Sequence, residues 1–290
     1  MNQSKEKILD MHTHTNYSDG EYSPDELIKK AVAANIETIA ITDHDTLLGV
    51  QNITVDPKEL GIEVIPGIEL SVRSPSGRMH LLGHNLNIWD EKLNAKMSEL
   101  HNRSLYATAA VICGLKNDYG ITFTTEEILA ILNKNSNIGR PDVIRLLMKY
   151  GYITTAKEGF KKYLDPVYDK LQELAKGLPQ EESIRLIKEA GGLASLAHPH
   201  TLNMTPEELD AFVGQLVDYG LDGIECFHSN HSPEQIEEYL RLANKYDLLI
   251  TGGSDYHGPT IKPKISLGTG KDNLKLKQLT LVDKIHHINK

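Results

Sequence analysis

Ile8-Leu9-Asp10-Met11-His12-Thr13-His14-Thr15-Asn16-Tyr17-Ser18-Asp19-Gly20 is a short apolar run that ends in a His-x-His pair and then a polar turn closing on Asp-Gly. Alternate side chains of an extended strand share a face, so His12 and His14 point the same way. With Asp19 on the loop beyond them, two imidazoles at a strand end are the beginning of a metal site. One such pair is weak evidence. Its meaning depends on whether other strand ends repeat it.

They do. Thr42-Asp43-His44-Asp45 stands where a second apolar run ends, Pro66-Gly67-Ile68-Glu69 lies on a third and His80 on a fourth. Ala197-His198-Pro199-His200 ends a fifth, Glu225 is on a sixth, and Ser254-Asp255-Tyr256-His257 closes a seventh. The runs 8–12, 38–44, 63–72, 79–86, 193–199, 223–228 and 248–257 are apolar enough to be buried on both faces, as parallel strands are. Helix starts between them are legible. Ser23-Pro24-Asp25-Glu26, Thr205-Pro206-Glu207-Glu208 and Ser232-Pro233-Glu234-Gln235 each put a hydroxyl at the N-cap, proline first in the helix, and Glu or Gln where it closes a capping box. Asn35, Gly220 and Asp247 are the expected helix ends. This alternation predicts an α/β barrel or an open parallel sheet, whose active sites assemble at the C-terminal ends of the strands. The turn Arg73-Ser74-Pro75-Ser76-Gly77 is too short for a crossover, so the strand after it is expected to return as a hairpin.

The middle of the chain reads differently. From 89 to 183 the pattern is helical, with a stripe through Leu93, Met97, Leu100, Leu105, Ala109 and Ile112 and further helices over 126–132, 141–150 and 155–163. The expected organisation is one metal-binding α/β core from 1–88 and 184–290, with 89–183 a helical insertion lining the substrate site. A chain of 290 residues, 40% hydrophobic and 24% charged, has room for both. A net charge of −9 argues against a broad basic face, and so against duplex DNA as a partner. Cys113 and Cys226 are the only cysteines, which excludes a disulfide framework and a cysteine-built zinc site. Residues 1–7 are polar, without the apolar stretch of a signal peptide, and no run nears the ~18 apolar residues of a membrane span. A cytoplasmic protein with no membrane partner is expected.

Histidine and carboxylate without cysteine suit manganese, iron or zinc. The donors outnumber what one ion can use, so two or three divalent ions are expected, with Glu69 and Asp255 as natural bridges. Clustered divalent ions suit hydrolysis, because they lower the pKa of a shared water and stabilise attacking and leaving oxygens. Other residues have plainer readings. Asp43 and Asp45 are expected to order the turn or orient His44, while His84 and His101 match no motif and His286 and His287 are expected to be solvated. Glu225 is open between supporting the site and a salt bridge at the core edge. His200, His228 and His231 follow strand ends on the active face, where substrate contact is open to them. Gly252-Gly253 reads as a close backbone approach, since no GxGxxG precedes a helix.

Taken in order, His12-Thr13-His14, Thr42-Asp43-His44, Pro66-Gly67-Ile68-Glu69, Ala197-His198-Pro199 and Ser254-Asp255-Tyr256-His257 resemble the successive motifs of the PHP (polymerase and histidinol phosphatase) family. The resemblance implies an α/β fold, a distorted (β/α)7 TIM-like barrel with a helical insertion domain, and a trinuclear metal centre. It implies one ion on His12, His14, Glu69 and Asp255, a second on Glu69, His80 and His198, and a third on Asp19, His44 and His257. Asn137-Ile138-Gly139-Arg140-Pro141-Asp142, followed by Leu146-Leu147-Met148-Lys149-Tyr150-Gly151-Tyr152, resembles the Gly-Arg-Pro-His segment of one PHP subgroup. That subgroup removes the 3′-phosphate of nucleoside 3′,5′-bisphosphates, and some of its members trim short RNA from the 5′ end. Here Asp142 stands where histidine is frequent, and Arg140 is kept, a guanidinium able to clamp phosphate oxygens.

The expected protein is therefore a metal-dependent phosphoesterase acting on a small phosphorylated nucleotide or short RNA. Asp255, His257 and Arg140 are the expected catalytic residues, and Arg140, His200 and His231 the expected substrate contacts. The alternatives are a PHP phosphatase of histidinol phosphate or phosphotyrosine, a non-catalytic PHP scaffold module and, more remotely, an amidohydrolase. Scaffold modules commonly lose ligands, whereas every motif here is complete.

Overall fold

The computed structural model describes residues 8–134, 138–168, 170 and 177–290. The signal-peptide reading of residues 1–7 and Asn137 of the insertion motif lie outside the described residues. The chain divides into two compact units, Met1–Asn94 with Gly177–Lys290, and Ala95–Lys176.

Among the described residues of the first unit, seven strands form one sheet in sequence order: β1 (Ile8–Thr13), β2 (Ile36–Ile41), β3 (Glu63–Val72), β4 (Met79–His84), β5 (Leu193–Leu196), β6 (Gly223–His228) and β7 (Leu249–Gly253). β1, β2 and β3 run parallel, as do β5, β6 and β7. β4 is antiparallel to both neighbours, because the turn before it cannot span a crossover. A bridge joins Thr13 to Tyr256, and the Asp255 amide donates to the His12 carbonyl at 2.9 Å. The sheet thus curls into a nearly closed, distorted α/β barrel and not an open sheet.

The capping boxes at Ser23, Thr205 and Ser232 open the helices Pro24–Ala33, Pro206–Asp218 and Pro233–Lys245. Asn35, Gly220 and Asp247, each with positive φ (63°, 96° and 53°), stand just past their ends. The helix Thr280–Ile288 sets Leu281, Val282 and Ile285 into one core with Leu9 of β1 and Leu193 of β5, and Leu249 of β7 packs on it. Those are residues at the strand starts, so apolar packing closes that end and leaves the opposite end to polar chemistry.

The strands are shorter than the apolar runs suggested. β2 stops at Ile41, β5 at Leu196 and β7 at Gly253, so His44, His198, Asp255 and His257 stand on the loops beyond. Left-handed backbone at Asp45, His198 and Asp255 (φ 50°, 25° and 58°) ends the extended conformation there, as Asn85 (φ 59°) does after β4.

The second unit holds most of the helix Glu91–Tyr119, followed by Thr125–Leu132, Arg140–Lys149, Ala156–Gly159 and Asp165–Tyr168. Val111, Leu115, Val143, Leu147, Leu164 and Val167 are among its core residues. The helix expected over 155–163 is interrupted, since Phe160–Leu164 is a π-turn whose wider spacing leaves both Tyr163 and Leu164 buried. The helix Gln180–Glu189 belongs to the first unit.

Candidate metal centre

β1 carries His12 and His14 to the polar end of the barrel with their ring centres 5.2 Å apart. The loop after them is fixed by Asp43, whose carboxylate accepts from Thr15 N at 2.8 Å, Thr15 Oγ1 at 2.6 Å and Ser18 Oγ at 2.5 Å. That loop delivers Asp19. Across the barrel seam, a Cβ on Gly253 would collide with the backbone of His12, so β7 approaches β1 this closely only as glycine. Asp10, buried in β1, accepts from Ser254 N at 2.8 Å, Ser254 Oγ at 2.6 Å and Gly268 N at 2.8 Å, which fixes the loop bearing Asp255. Asp45 does the same for β3, accepting from Ser71 N at 2.8 Å and Ser71 Oγ at 2.6 Å.

Glu69 is the hub. Its Oε2 lies 3.2 Å from ring nitrogens of His12, His14 and His44. Its Oε1 lies 2.7 Å from His80 Nδ1 and 2.8 Å from His198 Nε2. Asp255 Oδ1 is 3.3 Å from His14 Nε2 and 3.4 Å from His257 Nδ1, and Asp19 Oδ1 is 3.1 Å from His257 Nε2. Burial would raise the pKa of Glu69, but His44, His12 and His80 outweigh it and hold the carboxylate well below its usual range. Burial opposes a charge on His14 too, yet Asp255 and Glu69 lift it to about 9. Burial pushes His44 down to about 3, against the pull of Glu69 and Asp19. The imidazoles thus crowd one another for protons around shared carboxylates, which is the situation a multivalent cation relieves.

Whether these side chains suit metal ions is decided by where their lone pairs point. His12 Nδ1–H donates to Glu225 Oε1 at 2.9 Å, and His257 Nδ1–H to the Asp255 carbonyl at 2.9 Å. His198 Nδ1–H is 3.1 Å from Thr201 Oγ1, a hydroxyl that itself donates to the Arg78 carbonyl at 2.8 Å. In all three the outward nitrogen is a donor to protein, so Nε2 is the inward atom left to ligate an ion once it gives up any proton it shares with Glu69, the usual arrangement of a ligating histidine. Among the described residues, no aligned hydrogen bond satisfies the buried atoms His14 Nε2 and Asp19 Oδ1, although ionisable groups stand 3.1 to 3.3 Å from them. The fit is good.

Donor atoms come within 4.8 Å of one another in the groups His14–Asp19–His44–His257, His12–Glu69–His198, His12–His14–Asp255 and His44–Glu69–His80. The residues implied to share ions are therefore gathered in one place. The sets overlap more than the resemblance implied, with His14 reaching the Asp19 group as well as Asp255.

Arg140 is in the second unit, the first residue of the helix Arg140–Lys149, 3.5 Å from Asp165 and over the Phe160 ring. Asp142 accepts from Gly139 N at 3.0 Å and pairs with Arg145 at 2.5 Å and with Lys134, which makes it a helix cap. His200, His228 and His231 form a separate group beside the centre. His84 Nε2–H donates to the Met11 carbonyl at 2.8 Å inside the core, and His286 pairs with Glu63 on the surface at 2.8 Å.

Three supporting residues were not read from the sequence as such. Glu225, left open there, also accepts from the His198 amide at 2.7 Å. Lys262 Nζ lies 2.6 Å from Asp255 Oδ2, and no spacing rule points to it. Asp10 could have been noticed as the one acid inside the first apolar run.

A family model described as the PHP domain matches residues 10–218. A 5′-3′ exoribonuclease of Haemophilus influenzae is 30% identical over 254 residues, covering 87% of this chain and 91% of that protein. A 3′,5′-nucleoside bisphosphate phosphatase of Chromobacterium violaceum is 26% identical, covering 87% of each. A solved structure from Bifidobacterium adolescentis, named as a candidate metal-dependent phosphoesterase, superposes with a TM-score of 0.76 at 29% identity, covering 97% of this chain and 96% of that one. Among the described residues no helix is long and apolar enough to cross a membrane.

Proposed function

The chain belongs to the PHP domain family and is a metal-dependent phosphoesterase; on that premise we propose that it removes the 3′-phosphate of nucleoside 3′,5′-bisphosphates, with short 5′-phosphorylated oligoribonucleotides as a second substrate class. The observation that carries the hydrolytic reading is Glu69, a fully buried carboxylate met by histidines from β1, β4 and the loops after β2 and β5. The nucleotide reading is supported by the Arg140 segment and by the names of the Haemophilus and Chromobacterium relatives. The metal ligands proposed are His12, His14, Asp19, His44, Glu69, His80, His198, Asp255 and His257, holding two or three ions of manganese, iron or zinc.

Divalent ions held by these residues would supply a water of lowered pKa and positive charge for the phosphate oxygens. The chain's own groups supply the rest. Asp255 offers Oδ1 to the centre while Lys262 and His228 hold Oδ2 at 2.6 and 3.3 Å, so the carboxylate cannot turn. Glu225 orients His12 through its side chain and His198 through its backbone. Asp255 and His257 are the proposed catalytic side chains and Arg140 the proposed clamp on phosphate oxygens, with His200 and His231 touching substrate.

A phosphate-release screen with manganese tests this. Adenosine 3′,5′-bisphosphate and 5′-phosphorylated short RNA are expected to outpace histidinol phosphate and phosphotyrosine. Equal or reversed preference removes the nucleotide assignment, and protein that takes up none of manganese, iron or zinc favours the scaffold alternative.

A further inference from the structure

Beside the centre, His200, His228 and His231 form a triangle with ring centres 5.3, 5.0 and 5.0 Å apart. A tetrahedral zinc ion with Zn–N of about 2.0–2.1 Å would set three imidazole centres roughly 5 Å apart, so the triangle invites another ion. The tautomers refuse it. The Asn230 amide donates to His228 Nδ1 at 3.1 Å, which puts the His228 proton on Nε2, where it faces Asp255 Oδ2 at 3.3 Å. Neither His228 nitrogen has a lone pair to give, and two histidines are too few for a zinc site.

Among the described residues, each of the remaining two has one ring nitrogen without a hydrogen-bond partner. His231 Nδ1–H donates to the Cys226 carbonyl at 2.9 Å, so Nε2 presents a lone pair. His231 is 5% exposed, and that Nε2 has no hydrogen-bond partner. His200 Nδ1 is likewise buried and unpartnered, on a ring that is half-buried. Burial and the neighbouring His228 push His231 down to about 3, so its ring is neutral at ordinary pH. A phosphate oxygen would meet a lone pair there and be repelled. What satisfies His231 Nε2 is a neutral donor, an O–H.

The place matters as much as the chemistry. His228 touches Asp255, and the His198 ring centre is 5.6 Å from His228 and 6.1 Å from His200. A phosphate at the centre therefore brings its own alcohol's neighbouring substituents toward His200 and His231. We propose that His231, with His200, is a hydroxyl-recognising subsite for the carbon next to the phosphate-bearing one, so that the enzyme selects ribonucleotides over deoxyribonucleotides. This rests on the nucleotide phosphatase reading and adds the sugar to it.

The test uses the full-length, manganese-loaded protein and two substrate pairs: adenosine 3′,5′-bisphosphate against its 2′-deoxy analogue, and glycerol 2-phosphate against isopropyl phosphate. The hydroxylated member of each pair is expected to have the higher kcat/KM by at least about tenfold, since the deoxy analogue leaves a buried acceptor unpaired. His231→Phe, which keeps a ring against Tyr239, is expected to bring the ratio toward one, while His231→Gln, which keeps an acceptor, retains part of it. Equal rates within both pairs, or a ratio that survives His231→Phe, overturns the subsite. Loss of one metal equivalent in His231→Phe shows an ion site instead and also overturns it. If nucleotides are inert while the glycerol pair still discriminates, the nucleotide reading falls and the subsite stands; no turnover of either pair removes both.

Discussion

Glu225 shows how much of the centre is decided one hydrogen bond away from the donors. It is fully buried, and its two oxygens fix the His12 ring and the His198 backbone. Glu225→Gln keeps the shape but replaces one acceptor oxygen by a donor, so manganese affinity should fall by about 10–100-fold, as for other outer partners of ligating histidines. His14→Ala removes a donor outright, and turnover should be abolished with the circular dichroism spectrum unchanged. A His14→Ala protein that is fully active would refute the ligand set. Arg140→Ala should chiefly raise KM for phosphorylated substrate, and an unchanged KM would leave Arg140 as no more than the partner of Asp165. At this scale most donors were legible because they lie on an apolar run or just beyond its end. Lys262 was not, since a lysine in a loop has no periodic signature and its role depends on a contact with Asp255 that only the fold creates.

The elements were read with uneven success, for physical reasons. Helix starts carry local chemistry, and at Thr205 the structure returns the full reciprocal pair, with Glu208 accepting from the Thr205 amide at 2.8 Å. Thr205→Ala should therefore cost about 1 kcal/mol in urea unfolding while manganese uptake stays as it was. A loss well above that would mean that Thr205 does more than cap. Strand ends were overrun, because hydrophobicity does not report backbone torsion. His198 and Asp255 hold left-handed φ, each at a cost of about 1–3 kcal/mol, and this strain turns them off the sheet and into the centre. β4 was expected to pair back on β3, and it is antiparallel to β5 as well. That second pairing joins residues more than a hundred positions apart, which no local pattern encodes.

For the whole molecule, the strand–helix alternation did not decide between a barrel and an open sheet and the barrel was implied by the resemblance of the motifs, whereas the π-turn in the helical unit left no trace in apolar spacing. The concentration of titrating groups at one end of the barrel should dominate its pH response. In chelator-treated protein His14, lifted to about 9 by Asp255 and Glu69 against burial, gives stability that is full below about pH 6.5 and lost as pH rises through about 9. His44, pushed by burial to about 3, works the other way, so its contribution is present above about pH 6.5 and lost as pH falls through about 3. Tm without metal should thus peak between these limbs. Adding manganese, which binds in competition with protons, should raise Tm by a margin that grows from about pH 6.5 to 9. Thermal scans with and without EDTA check the sign, and a margin that shrinks over that range would mean that His14 is not where the ions bind.

The donor groups draw on residues from His12 to His257, and β7 comes last around the barrel. A polypeptide emerging from the ribosome therefore shows its first imidazoles long before the acid and imidazole that complete them. On the proposed ligand set, full cation loading has to await synthesis as far as His257. A copy broken off before Asp255 would carry the Glu69 hub and its histidines but lack the last acid and imidazole of the proposed cage.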